Sequence, residues 1–293
     1  MVVATGFFDG VHLGHRFLLK QLVDAAERRG EESMVVTFWP HPRNVLQDDA
    51  RNLRLLTSMD EKKILLKELG ISHVEVLPFS REFSRLTTEE YLSDYIIKRF
   101  GAHAVLIGYD NKIGSDLCTP EQTAAIAAKL GLESIRAKSF TSEEGVVISS
   151  TKIRNLLTEG DVEHANAMLG YEYQLHGVVV SGNRLGRTIG FPTANMQLYE
   201  PLKLIPARGV YFVRVETLGR HLKGMCNVGV RPTVGNGNAV TIETNIFDFN
   251  EDIYGLDIGL SFVKKIRDEV KFSDFGQLAA QLDIDKASCM SLL

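Results

Sequence analysis

Met1-Val2-Val3-Ala4-Thr5-Gly6-Phe7-Phe8-Asp9-Gly10-Val11-His12-Leu13-Gly14-His15 decides the fold of the first half of the chain. A short β-rich apolar run enters a glycine-containing turn, and Leu18, Leu22, Ala25 and Ala26 then give one apolar helical face closed by Gly30. Strand, glycine turn and helix together point free backbone N–H groups at an anion. Gly10 and Gly14 would let the main chain approach a phosphate, with Gly6, Phe8 and Asp9 in the same turn. His12 and His15 stand at the positive end of the helix dipole, suited to stabilising charge. Two histidines three apart also fit a surface pair or two metal ligands, but no third ligand at recognisable zinc spacing accompanies them.

Outward from this stretch, β-rich runs alternate with amphipathic helical stretches as far as residue 158, the signature of βαβ units on a parallel sheet. The expected strands are Val2 to Gly6, Met34 to Trp39, Val74 to Phe79, Ala104 to Ile107 and Ser134 to Lys138. Ser58 with Glu61 and Thr87 with Glu90 have capping-box spacing, and Pro120 opens a further helix with Gly131 past its end. Residues 1–158 therefore read as a Rossmann-like doubly wound layer. A helical linker over 159–171, centred on Asp161 to Leu169, precedes a different rhythm in 172–293. There Gly177 to Val180, Val210 to Glu216, Lys223 to Val228, Ala239 to Phe247 and Ile258 to Phe262 are strand-like and separated by Gly, Asn and Pro turns. That spacing predicts a small antiparallel β-barrel with a C-terminal helix over Phe272 to Leu292.

Composition bounds the function. Of 293 residues 44% are hydrophobic and 24% charged, and the net charge of -4 gives no overall pull toward nucleic acid or an anionic membrane. Cys118, Cys226 and Cys289 are scattered and odd in number, which fits neither a disulfide framework nor a metal spacing and suits a reducing compartment. No apolar run reaches the roughly 18 residues of a membrane span, and the start lacks a signal-peptide layout. A cytoplasmic enzyme acting on small molecules is expected, with no membrane, nucleic-acid or obligate protein partner.

The run His12-Leu13-Gly14-His15 is the HxGH signature of the nucleotidyltransferase superfamily, and Gly6 to His15 resembles the FMN adenylyltransferase module of prokaryotic FAD synthetases. Ile148-Ser149-Ser150-Thr151-Lys152-Ile153-Arg154 resembles that family's second ATP signature. Physically it offers two hydroxyls at a helix start and a guanidinium one turn on, although alone such a run is more often a helix cap. The resemblance implies that His12 and His15 serve the phosphates while Ser150, Thr151 and Arg154 hold the triphosphate or pyrophosphate. Thr37 to Pro42, containing Pro40, His41 and Pro42, and Gly108 to Gly114, containing Asp110, resemble the flavin side of the site. The second segment departs from the family, with Asn111 and Ile113 where phenylalanines are common and Asp116 near a usual basic position.

The second half has neither a Walker loop nor a protein-kinase signature. Gly182 to Asn195 is glycine-rich, with Gly182, Arg187, Gly190, Pro192, Thr193 and Asn195, and Thr193 with Asn195 offers neutral oxygens suited to Mg²⁺ already charge-balanced by ATP. The bland alternative is a barrel turn with a proline corner. This segment resembles the PTAN motif of riboflavin kinases, and matches follow in family order: Gly209-Val210-Tyr211, Asn227 to Thr233 with Arg231, Glu243, Asp248 to Gly255, and Ile266 to Glu269. The resemblance implies a six-stranded antiparallel barrel, Glu243 as catalytic base, and Arg231, Arg267 and Glu269 near the flavin. Riboflavin phosphorylation to FMN and adenylylation of FMN to FAD, each with Mg·ATP, is the activity implied. The competing expectations are one active half with the other kept as a scaffold, and a non-catalytic flavin- or RNA-binding protein.

Overall fold

A computed structural model describes residues 1–46, 53–109, 111–140, 147–182, 185–232 and 238–292, with the side chains of 185, 187, 231, 232, 238 and 239 left out. The chain divides into two compact units, Met1–Ser150 and Thr151–Leu293.

The first unit is a parallel sheet in the order β3-β2-β1-β4-β5, built from β1 (Val2–Thr5), β2 (Ser33–Trp39), β3 (His73–Pro78), β4 (Ala104–Ile107) and β5 (Glu133–Arg136). Alternate residues of the central strands feed two separate cores. Val2, Ala4, Val35, Ala104 and Leu106 pack on one face with Leu19, Leu22, Ala25 and Ala26 of α1 (Leu13–Arg29). Val3, Met34, Val36, Val105 and Ile107 pack on the other. That second face is covered by the helical run of α4 (Thr88–Glu90) and the π-helical Tyr91–Arg99, and by α5 (Pro120–Lys129). Burial on both faces explains why these strands read as unbroken apolar runs. Both expected capping boxes are made, Ser58–Glu61 at α3 (Met59–Glu68), which follows the short α2 (Pro42–Leu46), and Thr87–Glu90 at α4. The strand order reverses between β1 and β4, so a crevice for ligands opens past the C-terminal ends of those strands.

The second unit opens with α6 (Ser150–Glu159, its first residue belonging to the first unit) and α7 (Val162–Leu169), which ends at Gly170 with φ 78°. Asn166 fastens α7 to the sheet, donating to the Phe262 carbonyl at 2.8 Å and accepting from Tyr173 N at 2.8 Å. The strands are β6 (Tyr173–Val180), β7 (Ala194–Leu198), β8 (Gly209–Thr217), β9 (Arg220–Pro232), β10 (Asn238–Ile246) and β11 (Asp257–Arg267), with α8 (Leu185–Thr188) between the first two. They close a six-stranded antiparallel barrel in the order β10-β7-β6-β11-β8-β9. Strict alternation of burial along β6 places Tyr173, Leu175 and Val179 inside. Part of the outer face carries a second apolar cluster, in which Val210, Phe212, Met225 and Phe247 pack with Cys289 of α9 (Phe275–Met290).

Strand β7 goes beyond the sequence expectation, which treated its residues only as part of a loop motif. Ala194-Asn195-Met196-Gln197-Leu198 has no β-branched residue, and its strand geometry comes from hydrogen-bonding to β6 and β10.

Candidate active sites

In the first unit the turn after β1 is held in a conformation that few residues adopt. Phe8 and Val11 have φ of 48° and 37°, and Gly10 has 82°. The turn persists because its surroundings fix it. The Asp9 carboxylate, 3% exposed, accepts from Leu56 N, Thr57 N and Thr57 Oγ1, all at 3.1 Å. Thr57 Oγ1 accepts in turn from Gly10 N at 3.1 Å. Asp9 therefore shapes the turn from within. Ser150 Oγ donates to the Asp9 carbonyl at 3.0 Å, bringing the end of the unit back to the same turn.

His12 is the N-cap of α1: its Nδ1 accepts from His15 N at 3.3 Å, and the two rings stack at 3.6 Å between centroids. Gly14 makes this possible, since a Cβ there would meet the His12 ring at 3.3 Å. Nδ1 of His15 is buried with no hydrogen-bond partner among the described residues. Burial, then the charges of His12 and Lys62, hold the His15 imidazole well below its ordinary pKa. Lys62 escaped the sequence reading. It is 5% exposed on the same face of α3 as buried Leu66, and a lysine at an apolar-stripe position was the available signal. Burial pushes its pKa down, and the nearby Asp9 carboxylate offsets part of that.

The ring of Phe7 lies 4.8 Å from that of His41, and Thr37 Oγ1 donates to the Phe7 carbonyl at 3.3 Å, so the turn and the Pro40-His41-Pro42 segment meet. The segment after β4 also crosses this end of the sheet. Asn111 Nδ2 donates to the Thr5 carbonyl at 3.2 Å, Ile113 joins the core, and Asp116 accepts from Thr88 N and Oγ1. The three departures from the family pattern thus do structural tasks. Asp110 lies outside the described residues. Thr151 and Arg154 belong to α6 in the second unit, one exposed and one half-buried.

In the second unit, Glu243 of β10 is in register with Asn195 of β7 on one side and Asn227 of β9 on the other. Directly paired residues share a face, so a carboxylate lies between two amides on the outside of the barrel. Glu269 joins this row, because a Cβ at Gly229 would meet its Oε1 at 2.6 Å and Asn227 Nδ2 at 2.9 Å. Gly182 presses on Asn195, where a Cβ would come within 2.4 Å of Nδ2. Gly190, at φ 84°, turns the chain into Phe191 and Pro192. Pro192 and Thr193 line a cavity of about 230 Å³ with Val179, Thr244, Phe249 and Tyr254. The buried hydroxyl of Thr244 has no hydrogen-bond partner among the described residues. Arg267 continues this row across Val210, and its guanidinium grips Asp285. The side chains of Arg187 and Arg231 lie outside the described set.

The family described as FAD synthetase matches residues 1–152, and the family described as riboflavin kinase matches residues 169–293. The chain belongs to the bifunctional riboflavin kinase/FMN adenylyltransferase family. The Bacillus subtilis member of the family is 37% identical over 97% of this chain and 90% of its own length, and that of Escherichia coli K12 is equally similar over the same shares. A crystal structure of a Streptococcus pneumoniae protein described as a macrolide-efflux protein has the same fold, with a TM-score of 0.90 and 36% identity over 99% of this chain and 93% of that one. Among the described residues no helix is long and apolar enough to cross a membrane. As in its family, the first unit carries FMN adenylylation and the second riboflavin phosphorylation.

Proposed function

We propose that Glu243 accepts the proton of the riboflavin ribityl hydroxyl while Thr193 and Asn195 hold Mg·ATP beside it. The observation that carries this reading is the register of Glu243 opposite Asn195, which puts a carboxylate next to the proposed cation ligands. An unactivated alcohol must lose its proton as phosphorus is transferred, and a positioned carboxylate takes it. A hydroxyl and an amide are hard neutral donors, a set that fits Mg²⁺ kept largely by the phosphates and water. The metal supplies neutralisation of phosphate charge; the protein orients hydroxyl and triphosphate in line. The neighbouring cavity, with the aromatic walls Phe249 and Tyr254 and the buried Thr244 hydroxyl, has the character of a purine pocket.

In the first unit, the FMN phosphate already carries its nucleophilic oxygen, so positioning and charge neutralisation suffice. His12 and His15 serve the phosphates, and the turn over Gly6, Phe8, Gly10 and Gly14 lets the main chain approach them. Ser150, Thr151 and Arg154 hold the triphosphate or pyrophosphate. Pro40, His41 and Pro42 border the flavin. The working divisions are 1–158, a linker 159–171, and 172–293, in a cytoplasmic enzyme whose buried, unpaired cysteines suit a reducing compartment.

The test incubates the full chain with riboflavin and Mg·ATP and resolves riboflavin, FMN and FAD by chromatography. Glu243→Gln is expected to block FMN formation yet convert supplied FMN to FAD, and His12→Ala to accumulate FMN. If both variants lost the same step, this division of labour would be wrong.

A further inference from the structure

We infer that Asn245 is a positioning residue of the kinase site, tying the strand that carries the base to the loop that carries the Mg·ATP ligands. Its side chain donates from Nδ2 to the Pro192 carbonyl at 2.7 Å, and the residue is 7% exposed. It stands two positions after Glu243 on β10, with only Thr244 between, so both side chains leave the same face of the strand. Pro192 has no N–H, and its carbonyl is the only main-chain polar group it can offer.

The loop on the other end of this bond also holds itself, Ile189 N donating to the Gly186 carbonyl at 3.2 Å. Phe191 N donates to the Gly186 carbonyl at 2.8 Å, and its ring packs on the outer apolar cluster. Between Phe191 and the first β7–β10 pair, Thr244↔Ala194, lie only Pro192 and Thr193. The Asn245 amide therefore sets where Thr193 stands relative to Glu243. Transfer in line between two bound groups is sensitive to errors of about 1 Å, so a bond at this junction bears on both nucleotide binding and turnover. Asn245 touches neither substrate in this account and acts through the loop.

The inference rests on the roles proposed for Thr193 and Glu243, and the experiment separates the two. Steady-state kinetics of the full chain are measured for Asn245→Asp, Asn245→Ala, Asn245→His and Thr193→Val, with FMN adenylylation on the same preparations as an internal control. The aspartate keeps the shape and loses the donor; the alanine covers the case in which the buried carboxylate impairs folding. Both are expected to raise KM for Mg·ATP roughly tenfold, the worth of one lost hydrogen bond, and to lower kcat for phosphorylation with adenylylation unchanged. Histidine, whose ring N–H can reach the carbonyl, is expected to recover most of the loss. Thr193→Val raising KM while neither Asn245→Asp nor Asn245→Ala has an effect overturns the inference alone. Thr193→Val without effect removes the reading of the loop, and the inference with it. Parallel loss of both activities with a lowered unfolding midpoint in Asn245→Ala marks a purely structural residue and overturns it as well.

Discussion

Arg267 at the end of β11 grips Asp285 of α9 through two near-parallel contacts, Nε to Oδ1 at 2.9 Å and Nη2 to Oδ2 at 2.7 Å. Asp285 is 1% exposed and also accepts from Gln281 Nε2, while Nη1 of Arg267 reaches the Asp268 carbonyl. The fork geometry makes this the fastening of the C-terminal helix to the barrel. Removing one partner strands a buried charge, so Asp285→Ala is expected to cost about 3–5 kcal/mol, read from denaturant unfolding of the second unit's transition. Arg267→Lys, with Asp285 intact, is expected to keep less than half of the pair's contribution, because an ammonium cannot make the paired contact.

Gly14 carries a steric demand. Alanine there would bring Cβ to 3.3 Å from the His12 ring and tilt it off His15. Adenylylation is expected to fall on the order of ten- to a hundredfold, with riboflavin phosphorylation unchanged. An equal fall in both activities would contradict the assignment of this turn to one reaction.

Lys62 stands, desolvated, in the field of Asp9 and His15. If its ammonium serves the phosphates, Lys62→Met is expected to lower FMN adenylylation by about a hundredfold, the effect of one preorganised charge-stabilising group. The unfolding midpoint should not drop, because methionine relieves the burial of a cation. Full activity in this variant would leave Lys62 as a neutraliser of Asp9.

His15 sets a pH dependence. Its folded-state pKa lies below the unfolded value of about 6.5, so below that pH the unfolded chain takes up a proton that the folded imidazole resists. Stability contributed by the neutral ring is present above about pH 6.5 and is lost as the pH falls through and below it. Thermal unfolding between pH 7.5 and 5.5 should show the wild-type midpoint falling more steeply than that of His15→Asn. Parallel curves would count against it.

Both architectures were legible in the chain because the two periodicities differ: unbroken apolar runs joined by amphipathic helices in one half, alternating strands joined by turns in the other. The histidine turn was legible too, since a strand, a glycine turn and a helix are consecutive in sequence and their geometry is local. What only the tertiary structure decided involves residues distant along the chain. Asn195 and Glu243 become neighbours through strand register. The charge of Lys62 on α3 acts on His15, and Asn245 meets a proline 53 residues earlier. Arg267 meets Asp285 on a helix whose docking side is set by which residues face the barrel. Hydrogen bonds within a few residues follow from local backbone preference, whereas those that close a barrel or secure a buried charge depend on which surfaces the cores bring together.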